Sequence, residues 1–212
     1  TTDFSHYVQP HPNYGVLGPN VRLFAAKNVR GVFEQGAYQS WGSEMAELRA
    51  WVLAKLLWDP RRDPDELREE FLNGYYGPAA GVLDDFLETL ERALARSGDA
   101  LGCYSPPDAK FLSLATLTRA RRLLDRAEGR ARRSAEYVRR VRRAALSVDY
   151  VVLARWEELR EEARRSNARW LWPETRAALL ERFLAGARRE GVTMISEGTA
   201  LEAWAGNGGR KK

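Results

Sequence analysis

Apolar residues recur at helical spacing through most of the chain beyond residue 43. Met45, Leu48, Val52 and Leu56, for example, lie three or four positions apart, which places their side chains on one face of an α-helix. Proline and glycine interrupt this pattern at intervals. The spacing predicts helices over residues 43–58, 64–73, 79–96, 109–128, 133–165 and 174–190.

The chain before residue 43 has a different pattern. Residues 1–8 alternate loosely between apolar and polar, and Val29, Val32 and Phe33 mark a second short run of strand type. A Pro-rich loop and a short helix near residues 21–27 separate the two. The order strand, helix, strand predicts a βαβ unit with parallel strands. One such unit cannot bury both faces of its own sheet, so its partner strands are expected to be missing or supplied from elsewhere.

The predicted fold is therefore mostly α, with a short βα segment followed by an α-helical bundle. The βα segment occupies residues 1–60, and the bundle region occupies residues 61–205. Residues 192–195 have the composition of a short extended piece, and residues 206–212 are expected to form a disordered tail.

The composition is that of a globular protein. Apolar residues make up 44% of the 212 residues, and no run resembles a transmembrane segment. The formal net charge of +5 raises the question of nucleic acid, but arginine and glutamate alternate along the predicted helices, as between residues 155 and 165. Such alternation is typical of a solvated, ion-paired helix surface. We therefore expect neither nucleic acid nor a membrane as a partner.

The two ends of the chain and its cysteine content leave the cellular compartment open. The N-terminus has neither an initiator methionine nor the basic and apolar regions of a signal peptide. The sequence is therefore expected to be a piece of a longer protein. It does not reveal whether that protein is secreted, periplasmic or located elsewhere. The single cysteine, Cys103, excludes an intrachain disulfide and does not decide the question either.

No familiar cofactor or catalytic motif is present. The sequence has no glycine-rich dinucleotide or phosphate loop, no zinc-protease motif and no nucleophile elbow. Its two histidines, His6 and His11, lie five positions apart in or near a Pro-rich loop, and a metal site would need ligands from outside that pair. We therefore predict no metal and no cofactor.

Acidic, amide and aromatic side chains around residue 34 carry the candidate chemistry. Glu34 and Gln35 end the second predicted strand, and aromatic residues follow them in a loop. An acid and an amide beside aromatic side chains are typical of a sugar-binding site. Two interpretations of Glu34 stay open: it binds sugar, or it has a structural role as a helix cap or ion-pair partner. For the nearby Glu44 and Glu47 the structural interpretation is favoured, as acids that complement the dipole of the following helix.

Glycoside hydrolysis typically uses two carboxylates, one as the acid and one as the base or nucleophile. Glu34 and Asp3 are the carboxylates that the predicted strands carry, and they are the candidate catalytic residues. The candidate substrate-binding residues lie near them in the sequence: His6, Tyr7, Gln35, Tyr38, Gln39 and Trp41. Among these, Tyr38 and Trp41 have an alternative role as packing residues at a helix start.

Three segments, at residues 31–40, 44–60 and 69–80, resemble the bacterial family called domain of unknown function 4838. They read GVFEQGAYQS, EMAELRAWVLAKLLWDP and EEFLNGYYGPAA, in that order, and the resemblance covers about residues 3–80. The end of the second segment, AKLLWDP, is also similar to the last barrel helix of alpha-glucuronidases and related glycosidases. The resemblance implies a TIM-type barrel with an appended helical region, in proteins linked to carbohydrate breakdown.

A complete barrel of this type needs about 250 residues, so the resemblance implies that this chain carries only the last two βα units. Its partner is then the missing N-terminal barrel region of the same protein. Active sites of such barrels lie at the carboxyl ends of the strands, which is where Asp3, His6, Glu34 and Gln35 are expected to fall.

The leading hypothesis is the C-terminal part of a glycoside-hydrolase-like protein that acts on or binds carbohydrate, uronic-acid-containing glycans included. The alternatives are a non-catalytic carbohydrate-binding protein and a helical scaffold or interaction module. The chain by itself is expected to be inactive, because most of the barrel rim is absent.

Overall fold

The computed structural model describes residues 2–209, and helices dominate it, which confirms the predicted mostly-α fold with a short β segment. The predictions for residue 1 and for residues 210–212 lie outside the described residues. The helices are α1 (Tyr14–Ala26), α2 (Ala46–Trp58), α3 (Pro64–Tyr76), α4 (Ala80–Ser97), α5 (Leu114–Ala131), α6 (Ala135–Ala154), α7 (Trp156–Arg165), α8 (Arg176–Arg189) and α9 (Leu201–Gly206). Short 3-10 turns at Gly77–Ala79 and Lys110–Leu112 precede α4 and α5.

Several helices begin at a polar side chain that satisfies a backbone N–H of the first turn. Asp63 accepts a hydrogen bond from the N–H of Asp65 at 2.8 Å, and Pro64 occupies the first position of α3. Ser113 and Thr175 cap α5 and α8 in the same way. The predicted start of a helix at residue 64 is therefore confirmed.

The single long helix predicted over residues 133–165 is interrupted at Arg155. Its backbone has φ −115° and ψ 27°, outside the helical region, and separates α6 from α7. The guanidinium of Arg155 donates to the carbonyl oxygen of Leu112 at 2.7 Å and pairs with Glu158 at 2.6 Å. The break is thus fixed by a contact to a distant part of the chain, which helical periodicity does not show.

The predicted βαβ unit is not formed, because residues 2–8 and 29–33 are not strands. A strand needs a neighbour for its N–H and C=O groups, and residues 29–33 have no paired strand within residues 2–209. The sheet instead pairs β1 (Met194–Ser196) with β2 (Thr199–Ala200), antiparallel, in what we call the C-terminal hairpin. β1 overlaps the extended piece predicted at residues 192–195.

The core is one continuous buried cluster that runs from Val8 to Trp204. Helix α6 lies at its centre, where residues 144–153 are all buried between α5 and α8. The short helix α9, not predicted from the sequence, places Trp204 against Tyr150 and Phe183, with ring centroids 5.5 and 5.4 Å away. No helix within residues 2–209 combines the length and the apolar character that crossing a membrane requires.

The beginning and the end of the chain are joined by backbone hydrogen bonds. Phe4 accepts from the N–H of Glu197 at 2.7 Å, and the N–H of Tyr7 donates to Ile195 at 3.0 Å. The carbonyl of Tyr7 in turn accepts from the N–H of Glu44 at 3.1 Å, just before α2. The N-terminal segment therefore lies between the C-terminal hairpin and the start of α2, and it positions the loop that precedes α2.

Candidate functional site

Residues 34–43, which we call the aromatic loop, border a cleft on the outer side of α2. The cleft has a volume of about 570 Å³, within the range of small-molecule sites. The loop forms one wall, and Ala50, Leu53, Ala54 and Leu57 of α2 form an apolar floor. The polar and aromatic lining residues include Glu34, Gln35, Tyr38, Ser40, Trp41, Glu47, Arg49 and Arg143.

Hydrogen bonds from Ser40 hold the aromatic loop against the chain before the C-terminal hairpin. Its hydroxyl oxygen accepts from the N–H groups of Thr193 and Met194, at 3.0 and 3.2 Å, and donates to the carbonyl of Trp41 at 2.9 Å. A serine hydroxyl can accept two hydrogen bonds and donate one, so Ser40 uses its full capacity here. The backbone next to Trp41 is therefore fixed by a segment 153 residues away.

Gln39 makes a second set of contacts to the hairpin. Its Oε1 accepts from the hydroxyl of Tyr7 at 3.3 Å and from the N–H of Gly198 at 3.2 Å, while its carbonyl accepts from Thr193 Oγ1 at 3.2 Å. Burial raises the pKa of the Tyr7 hydroxyl to about 12, with a further contribution from the charge of Glu197. Tyr7 thus remains a neutral donor at physiological pH.

Gly42 allows the loop to approach the hairpin closely. Its φ is +79°, and a Cβ at this position would lie 2.5 Å from Cγ2 of Val192. The neighbouring Gly191 lies beside the ring of Trp41, since a Cβ added there would be 3.7 Å from Trp41 Cδ1. Only the edge of the indole is covered in this way.

The aromatic side chains of the loop remain accessible at the cleft. The side chain of Trp41 is 78% exposed, and that of Tyr38 is 60% exposed. The Tyr38 hydroxyl donates to Glu197 Oε1 at 2.8 Å, which fixes the ring from its polar end. Two large rings are therefore held at the cleft without being packed into the core.

A buried ion pair supports the floor of the cleft at the start of α2. The Arg49 guanidinium pairs with the Glu44 carboxylate, and both side chains are almost completely buried. Arg49 also donates to the carbonyl of His11 at 3.0 Å and to Asn13 Oδ1 at 2.8 Å. The Tyr14 hydroxyl donates to Glu44, and burial, reinforced by the Glu44 charge, raises the pKa of Tyr14 well above its ordinary value. This cluster explains Glu44 as a structural residue.

His11 belongs to the same cluster and is kept neutral. Burial and the nearby charge of Arg49 lower its pKa from 6.5 to about 3. Within residues 2–209, no group of three or more histidine, cysteine, aspartate or glutamate side chains is arranged to hold a metal ion.

The predicted site residues of the N-terminal segment, Asp3, His6 and Tyr7, are buried and do not line the cleft. Asp3 is buried, and its Oδ1 accepts from the N–H groups of Ser5 and His6 at 2.8 and 3.1 Å. His6 Nδ1 and the Tyr150 hydroxyl form a buried hydrogen bond of 2.6 Å. These contacts hold the N-terminal segment on the core. The predicted catalytic pairing of Glu34 with Asp3 stays a prediction.

The structure brings Glu34, Gln35, Tyr38 and Trp41 together along the cleft, with Gln39 and Tyr7 supporting them from the hairpin side. Sequence reasoning missed the hairpin contacts of Ser40, because nothing local connects position 40 to position 193. It also missed Arg143 of α6, which lines the same cleft. In the sequence, Arg143 cannot be distinguished from the other arginines of a charged helix surface. Glu34 itself is exposed, since the strand predicted behind it is not formed.

A second cleft, of about 620 Å³, lies between α1, α3 and α4. Most of its charged residues are acidic, and its arginine, Arg68, pairs with Glu91 at 2.7 Å and with Asp84 at 2.6 Å. None of the predicted site residues lines this cleft. The cleft beside the aromatic loop is therefore the better candidate site.

The aromatic loop and α2, with α3, fall within the part of the chain that is similar to a known family. Residues 1–88 match the family model of a domain of unknown function, DUF4838. The match spans less than half of the 212 residues and supports the resemblance seen in the sequence segments. The DUF4838-matching part contains the loop and the floor of the cleft, whereas Arg143 and the hairpin lie outside it. Neither the curated proteins nor the solved structures yielded a match to the chain.

Proposed function

We propose that the cleft beside the aromatic loop binds carbohydrate. The observation that carries the proposal is the accessible indole of Trp41 at the cleft. The backbone of Trp41 is held by the Ser40 hydroxyl, which accepts from the N–H of Thr193 and donates to the carbonyl of Trp41. An exposed tryptophan presents a flat apolar surface, which suits the C–H face of a pyranose ring. Because the loop is anchored before a ligand arrives, little conformational entropy is lost on binding.

The polar residues of the cleft suit sugar hydroxyl groups. Glu34 offers carboxylate oxygens that accept hydrogen bonds, and the Gln35 amide both donates and accepts. Tyr38 lies on the same wall with its ring exposed. A mostly apolar cleft with a few convergent polar groups is the usual form of a small-molecule site.

We further propose that the chain is the C-terminal part of a longer glycoside-hydrolase-like protein. Exposed apolar side chains support this part of the proposal: Phe33 is 86% exposed and Trp58 is 91% exposed, and Val29 and Val32 are also exposed. If these side chains form a contiguous patch, that patch suits coverage by another protein segment. The missing N-terminal barrel region is the proposed cover, and Glu34 is the proposed acid or base of the complete site.

In this chain alone the cleft is proposed to bind sugar without hydrolysing it. Glycoside hydrolysis needs two carboxylates about 5 to 10 Å apart on opposite sides of the scissile bond. Of the two candidates, Glu34 lines the cleft, whereas Asp3 is buried and accepts hydrogen bonds from its own turn. The second carboxylate is therefore assigned to the longer protein.

The experiment is a binding titration with a panel of oligosaccharides, by calorimetry and by tryptophan fluorescence. Trp41→Ala should weaken binding at least tenfold, because it removes the stacking surface. Trp58→Ala is the matched control, since it removes an exposed indole that does not line the cleft, and its affinity should equal that of the unchanged chain. Equal affinities for both variants would place the sugar elsewhere.

The second candidate function is an interaction module, and Phe33 and Trp58 favour it because both are almost fully exposed. The oligosaccharide titration described above distinguishes the two functions. Absence of binding to every oligosaccharide in the panel would rule out the carbohydrate site and leave the interaction module.

A further inference from the structure

We infer that the ligand is a glycoside with an aliphatic aglycone, whose sugar lies in the cleft beside the aromatic loop and whose apolar part lies in a neighbouring cleft; this inference rests on the proposed carbohydrate-binding function. The neighbouring cleft, which we call the aliphatic cleft, lies between α1, α2 and the loop that follows α4. Its volume is about 570 Å³, the same as that of the cleft beside the aromatic loop. The two clefts together therefore have room for a ligand with two chemically different parts.

The two clefts meet at Glu34 and Leu53, which line both of them. No other described residue lines both, so a ligand that fills the two clefts must cross between them at these side chains. Glu34 is also the residue proposed as the acid or base of the complete site. A glycosidic bond at this boundary would therefore lie next to the side chain that is proposed to act on it.

Apolar side chains form most of the wall of the aliphatic cleft. Apart from Leu53, they include Val16, Leu17, Val21, Phe24, Leu94 and Leu101. Phe24, Leu53, Leu94 and Leu101 are only partly buried, so they leave apolar surface that a ligand can cover. Covering such surface is favourable roughly in proportion to its area. The wall is therefore suited to an alkyl or branched hydrocarbon group.

The aliphatic cleft is poorly suited to a second sugar. Of the described residues that line it, only Glu34 carries a charge at neutral pH, because burial and the charge of Arg49 lower the pKa of His11 to about 3. The Nδ1 atom of His11 is itself buried, and Asn13 Oδ1 already accepts from Arg49 at 2.8 Å. Hydroxyl groups that lose water without gaining a hydrogen bond are costly to bury, whereas an aliphatic group has no such requirement.

The wall formed by residues 101–103 is held in place by hydrogen bonds. The carbonyl of Cys103 accepts from the N–H of Phe4 at 2.7 Å. The Ser105 hydroxyl accepts from the N–H of Gly102 and donates to its carbonyl, both at 3.1 Å. Because these contacts exist without a ligand, little conformational entropy is lost when the aliphatic cleft is filled.

The experiment compares methyl, butyl and hexyl glycosides of glucose, galactose, mannose and xylose, in both anomers, by calorimetric titration of the chain. Each methylene that becomes buried should tighten binding by up to about fourfold. For a sugar that the chain binds, the hexyl glycoside should therefore bind at least tenfold more tightly than the methyl glycoside. The heat-capacity change of binding should become more negative as the alkyl chain lengthens. Hexan-1-ol, which lacks the sugar, should bind at least tenfold more weakly than the hexyl glycoside.

Variants of the aliphatic cleft test its role directly. Phe24→Asn should reduce the ratio of hexyl to methyl affinity at least fivefold, because it removes part of the apolar wall. Leu23→Asn is the matched control, since the neighbouring residue of α1 is 52% exposed and lines neither cleft, and its ratio should stay within twofold of that of the unchanged chain. Leu101→Asn changes the wall from the loop after α4 and should reduce the ratio in the same way as Phe24→Asn.

Trp41→Ala tests whether the two clefts hold parts of one ligand. It should weaken binding of the hexyl glycoside at least tenfold, because the sugar still depends on the aromatic loop. An unchanged affinity of this variant for the hexyl glycoside would show that the alkyl chain binds independently of the sugar, and would overturn the inference.

Further outcomes separate a failure of the inference from a failure of the proposed function. Equal affinities for the methyl and hexyl glycosides of a sugar that the chain binds would overturn the aglycone site but retain the carbohydrate site. Binding of panel oligosaccharides without binding of any of the glycosides, or an affinity ratio that neither Phe24→Asn nor Leu101→Asn alters, would have the same meaning. Absence of binding by every glycoside and every oligosaccharide would remove the proposed function itself.

Discussion

The hydroxyl oxygen of Ser40 accepts a hydrogen bond from the backbone N–H of Thr193 at 3.0 Å, across 153 positions of the chain. The same oxygen accepts from Met194 and donates to the carbonyl of Trp41. The position of the exposed indole therefore depends on the C-terminal hairpin. Predictions about the cleft follow from this link.

Ser40→Ala should reduce affinity for the sugar more than it reduces stability. It removes the acceptor for two backbone N–H groups in a partly exposed place, where a lost hydrogen bond costs about 1 kcal/mol. The loss of loop order should weaken sugar binding several-fold in calorimetry. Ser166→Ala is the control, because that hydroxyl donates to Glu162 at the end of α7, and its affinity should be unchanged. Unaltered affinity in Ser40→Ala would contradict the anchoring role.

Gly42→Ala should destabilise the protein by about 1–3 kcal/mol, because a residue with φ of +79° favours glycine and the new Cβ would collide with Val192. Urea denaturation measures the change. Gly81→Ala is the control, since an added Cβ at this position in α4 meets nothing within 4 Å, and alanine should stabilise the helix by about 0.5–1 kcal/mol. Equal stabilities of the two variants would show that Gly42 is not required.

The buried His11 should make the folded state less stable in acid. Its pKa is about 3 in the folded protein and 6.5 in the unfolded chain, so only the unfolded chain binds the proton between these values. Stability from this group is complete above about pH 6.5 and falls by about 1.4 kcal/mol per pH unit as the pH decreases towards 3. In urea denaturation, His11→Gln should lose this slope, and His6→Gln should retain it. Parallel pH profiles for His11→Gln and the unchanged chain would contradict the assignment.

The isolated chain should self-associate through its exposed apolar surface. Phe33 is 86% exposed, and the segment around it has no paired strand within residues 2–209. Phe33→Asp should shift sedimentation velocity profiles towards the monomer. Tyr104→Asp, at another exposed aromatic residue, should not. Identical profiles for all three proteins would show that this surface does not mediate association.

On the proposed function, the purified chain should release no sugar from oligosaccharides, whereas Glu34→Gln in the proposed longer glycosidase should abolish turnover without altering its thermal unfolding. A glutamine keeps the size of the side chain but cannot act as an acid or base at this position. Glu174→Gln, an exposed glutamate of the helical region, is the control and should retain full turnover. Turnover by Glu34→Gln would remove Glu34 from the mechanism, and hydrolysis by the isolated chain would show that no second carboxylate is missing.

The parts of the fold that follow local rules could be predicted from the sequence. The start of α3 is a local event, because Asp63 and Pro64 determine it within a single turn. Most of α6 was predicted as part of a helix over residues 133–165, and its Val141, Val148 and Val152 are buried at helical spacing. Neither result depends on distant parts of the chain.

The remaining features depend on contacts that lie far apart in the sequence. Val29 and Phe33 have the composition of a strand, but a strand also requires a partner, and residues 2–209 provide none. The interruption at Arg155 is fixed by its bond to Leu112, and the loop at Ser40 by its bond to Thr193. Glu34, Gln35, Tyr38 and Trp41, which the sequence analysis named, line the cleft, whereas it did not name Arg143. Their role in binding stays a prediction.

The hydrogen bonds that join Phe4 and Tyr7 to Glu197 and Ile195 also govern the order in which a growing chain can fold. Residues 4–7 of a growing chain must wait until residues 195–197 have been synthesised. At about 5–20 residues per second, that delay is roughly 10–40 seconds. The DUF4838-matching part therefore makes hydrogen bonds to residues that are synthesised much later, and the aromatic loop gains its anchor only once the hairpin has been synthesised. Premature termination near residue 190 should therefore yield a chain whose aromatic loop lacks its anchor at Thr193 and Met194.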